Sequence, residues 1–282
     1  MNQRAAPVSV IVPAHNESAG IGRLLGLLTT ETSEGEVEVV VACNSCTDET
    51  ADTARAYEGV VVVEIPGASK WLALEAGNSV ARHAVRAYVD ADVAISRHDL
   101  LTLVSALTDG VLAAGPERRL SLDGATWAVR WYYDVWQRLP QVRIGLFGRG
   151  MIVLSPEGHE RTRGLPMVMS DDLAISEAFA PSERAIVPSA VVGIECPPTL
   201  RDLIRRRERI ATGNSQADQL GLRSQVARTS LTDLLKIAAE SPALAGKVGV
   251  FVAVTSLGRL RARRRVRQGD FTTWLRDEST RG

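Results

Sequence analysis

The first third of the chain alternates between two kinds of apolar pattern. Val8 to Val12 is an apolar run ending at Pro13, and Val37 to Ala42 and Val60 to Val63 repeat it, the pattern of strands buried on both faces. Between them the apolar residues fall at helical spacing: Ile21, Leu24, Leu25 and Leu28, then Ala51, Ala54 and Tyr57, then Leu72 to Val80. A fourth run, Ala87 to Val89, leads directly into Asp90-Ala91-Asp92. This β-α-β-α-β-α-β order predicts an α/β protein with an open, doubly wound and mostly parallel sheet flanked by helices. Ligands of such sheets bind beyond the carboxyl ends of the strands, where Pro13 to Glu17, Cys43 to Asp48 and Asp90 to Asp92 fall.

Past residue 110 the alternation stops. Trp127 to Trp136 reads as a helix with Trp131, Tyr132 and Trp136 spaced to share a face, and Gly145 to Gly150 punctuates the chain before a strand at Met151 to Leu154. Ser170 is placed to cap a helix that opens with Asp171-Asp172-Leu173, and Thr199 to about Ala239 is helical and rich in arginine. The expected division is a catalytic domain over 1–215 and a helical, basic C-terminal extension over 216–282.

Composition narrows the function. The chain has 282 residues, 45% of them apolar, with 33 Lys and Arg balanced by 33 Asp and Glu. No global field draws it to nucleic acid, so a charged partner must be met by a local patch. Met1 to Pro7 lack the apolar core of a secretory leader, no apolar run reaches spanning length, and a cytoplasmic location is expected. Cys43, Cys46 and Cys196 are too few for a disulfide framework. The C-x-x-C spacing of the first two lacks the second ligand pair of a zinc site, so they read as buried small hydrophobes.

Chemistry concentrates on carboxylates. Asp90 and Asp92 put two acids at a strand end with one residue between, a spacing that lets both reach one hard cation, Mg2+ or Mn2+, held against a diphosphate. A cation there stabilises the charge that a departing nucleoside diphosphate gains, without proton transfer. Asp171 and Asp172 complement a helix dipole in their first-turn positions, and either also suits a general base that takes the proton of an attacking hydroxyl. Arg206 and Arg209, within the run Arg205-Arg206-Arg207-Glu208-Arg209, read either as a solvated helix face or as partners for the diphosphate or acceptor. The P-loop pattern and the dinucleotide glycine fingerprint are both absent, as is G-x-S-x-G.

Together these pieces resemble the family 2 inverting glycosyltransferases with the GT-A fold, from about Val8 to about Gly213. Val8 to Glu17, VSVIVPAHNE, is similar to the family's opening strand and turn, which implies that Pro13, Ala14 and Glu17 line the nucleotide pocket. Asn44-Ser45-Cys46-Thr47-Asp48-Glu49-Thr50 resembles the D-G-S-T-D-x-T loop, with Asn44 in place of the aspartate that meets the base; an amide carbonyl also accepts. Lys70 and Ala73 to Gly77 resemble G-K-x-x-A-L-N-x-G, with Glu75 replacing the asparagine. The likeness implies that Asp90 and Asp92 are the D-x-D pair, Asp90 also facing the nucleotide, and that Asp172 is the base. Only Arg209 survives of the processive Q-x-x-R-W pattern, so the expectation is metal-dependent transfer of one sugar from a UDP-linked nucleotide-sugar donor to a glycan, lipid-linked or small-molecule hydroxyl. The alternative is a catalytically silent nucleotide-sugar-binding protein of the same fold.

Val248 to Gly258 is apolar over eleven residues and is followed at once by Arg259, Arg261, Arg263, Arg264, Arg265 and Arg267. That length is too short to span, and the composition is that of a helix lying peripherally on the inner, anionic membrane surface.

Overall fold

Strand β1 (Val8–Ala14) is buried along its whole length because parallel partners flank it on both sides. The computed structural model describes residues 5–30, 36–67, 69–108 and 110–271; Met1 to Arg4, part of the stretch read for a leader, lie outside the described residues. The chain continues through α1 (Ser18–Thr29), β2 (Val37–Asn44), α2 (Thr50–Arg55), β3 (Val60–Ile65), α3 (Lys70–Val80) and β4 (Val85–Val89). After α4 (Arg97–Ser105) come β5 (Ala113–Ser121), α5 (Trp127–Trp136), α6 (Pro140–Ile144), β6 (Met151–Leu154), α7 (Pro156–Thr162), α8 (Asp171–Glu177) and β7 (Arg184–Glu195). The chain closes with α9 (Leu200–Gln219), α10 (Leu231–Glu240), a 3-10 turn at Pro242–Leu244 and α11 (Ala245–Arg267).

Among the described residues seven strands form one mixed sheet in the order β3-β2-β1-β4-β6-β5-β7. Its first four strands are parallel, as the alternating pattern predicts, and β6 then runs antiparallel to both β4 and β5. Strand β3 departs from its reading as a strand buried on both faces. It is the sheet's edge, only partly buried, with Val61 37% exposed, and an Arg55–Glu64 ion pair lies on it. Charge at an exposed edge discourages pairing with another chain.

The apolar face of α1, Ile21, Leu24, Leu25 and Leu28, is buried in the core that also holds Val8, Val10, Val12, Val39 and Val41. Helix α3 packs on the sheet through Gly77, where a Cβ would overlap Cγ2 of Ile11. Beneath these elements Glu38 is a buried carboxylate. It accepts from Ser9 Oγ at 2.5 Å, Arg82 N at 2.7 Å and Arg82 Nε at 2.6 Å. Burial alone would raise its pKa, yet these bonds outweigh that and hold the group below its ordinary value.

Residue contacts divide the chain into two units. The first comprises the described residues of Met1–Leu120, Leu146–Pro166 and Ala178–Ile194; the second comprises those of Ser121–Gly145, Met167–Glu177 and Glu195–Gly282. The boundary expected after residue 215 falls inside α9, a continuous helix of 20 residues. In the second unit α11 packs against α9 and α5, with Phe251 stacked on Tyr132 at 4.9 Å. Tyr132 and Tyr133 are buried while Trp131 is 37% exposed, so Trp131 does not share the buried face of α5 as its spacing implied.

The reading that no segment reaches spanning length is also corrected. Pro242–Arg267, 26 residues, is long and apolar enough to cross a membrane by length and composition. Ala243, Leu244, Ala245 and Gly246 extend the apolar stretch toward its N-terminus, and neither Lys247 nor Arg259 interrupts the helix.

Candidate functional site

In the first unit, the loops after β1 and β2 are bound to each other by their own side chains. Asn16 and Ser45 both adopt left-handed backbone conformations, with φ of 50° and 47°, at the reversals where the strands end. Such conformations are uncommon outside glycine, and Asn tolerates them better than most residues. Asn16 Nδ2 donates to Thr47 Oγ1 at 3.0 Å, and Asn16 Oδ1 accepts from Thr47 N at 2.6 Å. Glu17 N donates to Thr50 Oγ1 at 2.7 Å, and Ser18 N to Asp48 Oδ2 at 3.2 Å. Asp48 also accepts from Thr50 N at 3.1 Å, so one carboxylate orders the starts of α1 and α2. Burial would raise the Asp48 pKa, but the bonds from Thr50 and Ser18 prevail and lower it.

The nucleotide candidates lie around this junction. Pro13 and Ala14 are buried in the last turn of β1, Asn44 is 5% exposed at the end of β2, and Glu17 is half-buried. His15 Nδ1 lies 2.5 Å from the carbonyl of Asn44, a further tie between the loops. Cys46 Sγ donates to Ala14 O at 3.6 Å, and burial pushes the neighbouring Cys43 thiol up to about 12. Neither cysteine belongs to a group of three metal-ligating residues among the described residues.

Asp90 follows β4 directly, where its N–H donates to Gly150 O at 2.8 Å across the antiparallel step to β6. Gly150 has φ of 65°, and a Cβ there would overlap Val93 and stand 3.7 Å from Asp90 Oδ2, so only glycine lets this strand end come so close. Lys70, the first residue of α3, places Nζ 2.7 Å from Asp90 Oδ1. Ser69 caps that helix by accepting from Leu72 N at 3.4 Å. Gly20 in α1 approaches the carbonyl of Ala91 and the Cα of Asp92, which joins the D-x-D segment to the β1 loop. Glu75 is exposed further along α3.

The donor set fits a hard divalent cation. Asp92 is exposed, and Asp90, with its side chain 40% exposed, keeps Oδ2 apart from the oxygen that meets Lys70. Two carboxylates are too few to enclose an ion, and Mg2+ or Mn2+ at such sites is completed by water and substrate phosphates.

Sequence reasoning passed over Arg149. This residue is 1% exposed, and its Nη1 donates to Pro116 O at 2.6 Å immediately before Gly150. Burial lowers its pKa to about 10, and that of Arg118 to about 9, so both remain charged at neutral pH. Arg118 Nη1 donates to Gly148 O at 3.4 Å, and the two arginines hold the loop that supports Asp90. A lone arginine between glycines carries no periodic signal.

In the second unit, Ser170 precedes α8 and its carbonyl accepts from Ala174 N. Asp171 is 6% exposed; Asp172 is half-buried, with Oδ1 accepting from Leu173 N at 2.8 Å. Gly213 of α9 lies so close that a Cβ would overlap Ser170 Oγ, and Gln216 accepts from Met169 N at 2.8 Å. The approach to the two acids is thus fixed by α9. The arginine run on that helix is not a solvated face. Arg206 Nη1 donates to Tyr133 Oη at 3.4 Å and Glu195 O at 3.3 Å, Arg207 lies over the Tyr132 ring at 5.8 Å, and Arg209 is half-buried.

Comparison with known proteins agrees with the architecture. A family described as glycosyl transferase family 2 matches residues 9–152. A 4,4'-diaponeurosporenoate glycosyltransferase of Staphylococcus aureus is 36% identical over 115 residues, covering 37% of this chain and 29% of the relative. The match therefore spans less than a third of that protein's length. Among solved structures, a mannosyltransferase from Pyrobaculum calidifontis in complex with GDP-Man and Mn2+ superposes with a TM-score of 0.63 at 20% identity, over 94% of this chain and 76% of the other. Glucosyl-3-phosphoglycerate synthase from Mycobacterium tuberculosis, in complex with Mn2+, UDP and glucosyl-3-phosphoglycerate, gives 0.57 at 20% identity over 78% and 82%. These two likenesses establish the GT-A-like fold.

Proposed function

The chain belongs to glycosyltransferase family 2, and from that premise we propose that it moves one sugar from a nucleotide-sugar donor to an acceptor hydroxyl with inversion at the anomeric carbon. The donor is UDP-linked, and the acceptor is a glycan, a lipid-linked molecule or a small molecule. The observation that carries this reading is the Lys70–Asp90 pair beside an exposed Asp92 at the C-terminal end of β4. It gives one strand end both a cation for phosphate and carboxylates for a metal.

In this reading Pro13, Ala14, Glu17 and Asn44 bound the base and ribose, and Lys70 meets the diphosphate. Asp90 and Asp92 hold Mg2+ or Mn2+, which when bound would offset the negative charge gained by the departing nucleoside diphosphate. Asp172, in the second unit, takes the proton of the acceptor hydroxyl as it attacks, with Asp171 buried beside it. Arg209 assists the acceptor or diphosphate. Arg206, by contrast, is engaged with Tyr133 and Glu195, which favours a supporting role for it. The protein works in the cytoplasm, in peripheral contact with the inner membrane surface.

Titration calorimetry with UDP, GDP and nucleotide sugars, with and without Mn2+, tests the donor half. Cation-dependent binding of one nucleotide that disappears in Asp92→Ala is the expected result. Absence of binding under every condition would sink the proposal.

A further inference from the structure

The second unit carries an exposed surface that includes none of the residues assigned above to the donor, the metal or the base. Helix α11 has two unlike sides. Phe251, Val254, Gly258 and Ala262 are buried at spacings of three and four, against α5 and α9. On the opposite side Val252, Leu257 and Leu260 are 40%, 37% and 59% exposed. Along the same helix the apolar half gives way to exposed Arg259, Arg261, Arg263, Arg264 and Arg267, and no acidic residue occurs anywhere in Ala245–Arg267.

A second feature adjoins the first. Trp127 and Trp131 of α5 pack edge to face with ring centroids 5.0 Å apart, and they are 63% and 37% exposed. The Trp131 ring reaches the opening turn of α11, 3.9 Å from where a Cβ on Gly246 would stand. Two exposed indoles beside the apolar start of a helix that ends in arginines make a graded surface: aromatic, then aliphatic, then cationic.

We propose that this face docks on an anionic lipid bilayer, with α11 lying along the interface, Trp127 and Trp131 inserted at headgroup level and the arginines on lipid phosphates. The chemistry selects this occupant. Indoles favour the boundary between hydrocarbon and water, and arginine stems lie along apolar surface while their guanidinium groups reach phosphate. A run of arginines without an acid complements an anionic sheet. The helix lies on the surface rather than spanning it, because its inner face is packed and Lys247 Nζ is bound to Asp134 Oδ2 at 2.5 Å. Only 22% of its most apolar stretch is buried within the protein, which leaves the outer side for lipid. This inference deepens the peripheral membrane contact of the proposed function and names the residues that make it.

The test uses the full chain, with sucrose-loaded vesicles of phosphatidylcholine alone or with one quarter phosphatidylglycerol, read by co-sedimentation and tryptophan emission. The expected result is at least tenfold tighter binding to the anionic vesicles, a blue-shifted emission, and quenching by acyl chains brominated near the headgroup. Binding falls at least tenfold in Trp127→Ser/Trp131→Ser and in Arg261→Gln/Arg263→Gln/Arg264→Gln, and the quenching is lost in the first of these. Circular dichroism and thermal melting of the same variants show whether they remain folded; should they not, quenching of the parent protein decides. Equal binding to neutral vesicles, no binding, or binding unchanged in both folded variants would overturn the proposal. So would resistance to alkaline carbonate extraction, which marks a spanning helix, or a dimer in vesicle-free solution that the tryptophan substitutions dissociate. Loss of nucleotide binding in Asp92→Ala leaves all these readouts in place, so the two proposals fail separately.

Discussion

Lys70 Nζ lies 2.7 Å from Asp90 Oδ1, so the first carboxylate of the D-x-D pair already faces a cation that belongs to the protein. In the proposed donor site the same ammonium is the group that meets the diphosphate. A hydrogen bond to a charged group contributes roughly 1.5–3 kcal/mol. Lys70→Ala is therefore expected to weaken UDP binding by about tenfold or more, read by calorimetry, with the protein's melting temperature nearly unchanged.

Metal removal should act through Asp92. Chelation by EDTA is expected to abolish turnover of the nucleotide sugar, and added Mn2+ or Mg2+ to restore it. Asp92→Ala should show little residual activity and no response to either ion. Full activity in EDTA would refute a metal-dependent mechanism.

Asp172→Asn should separate chemistry from binding. A positioned base contributes on the order of 10²- to 10⁴-fold, so kcat is expected to fall by that factor while donor affinity stays at the parent value. Asp171→Asn should cost stability as well, because that side chain is buried.

Gly150 offers a contrast with Gly110. Both have positive φ, at 65° and 87°, but a Cβ at Gly150 would overlap Val93, whereas nothing lies within 4 Å of one at Gly110. Overpacking costs about 1–3 kcal/mol beyond the backbone strain the two share. Gly150→Ala should consequently lower the melting temperature more than Gly110→Ala and weaken nucleotide binding, since it moves the strand end that supports Asp90.

Acid should unfold the protein partly through Glu38. Its folded pKa lies below the ordinary 4.5, so its contribution is fully present above that value and is lost as pH falls through the folded pKa. Glu38→Gln is expected to melt lower than the parent at pH 7, and the gap should close as pH drops below the ordinary carboxylate range. A gap constant with pH would exclude this carboxylate as the source.

The parallel half of the sheet was legible because each of its strands is an apolar run separated from the next by one amphipathic helix. Even there the edge position of β3 was not, since Val60 to Val63 has the same composition as the central strands and only strand order distinguishes them. Strands β5 and β7 escaped notice for a related reason. The run Ala113–Ser121 contains Pro116, Glu117, Arg118 and Arg119, and Arg184–Glu195 is largely half-exposed. Asp90 and Asp92 stood out because two acids directly follow an apolar run. Arg149 did not, because nothing local reveals that a buried guanidinium meets the Pro116 carbonyl brought from β5. The inward direction of Arg206 and Arg207 likewise depends on α5, more than sixty positions earlier in the chain.

The interleaving of the two units bears on how the polypeptide acquires its structure. The first unit takes β6 and β7 from beyond residue 145, and the second takes α5 from before it and α11 from the far end. No single scission yields either unit whole, and during synthesis neither is complete until well over half of the chain has emerged. The stacking of Phe251 on Tyr132 closes a loop of more than one hundred residues, and such late, distant contacts make folding slow relative to a chain built of local pairings. An amino-terminal fragment ending near residue 215 would leave the inner faces of α5 and α9 without the helix that covers them.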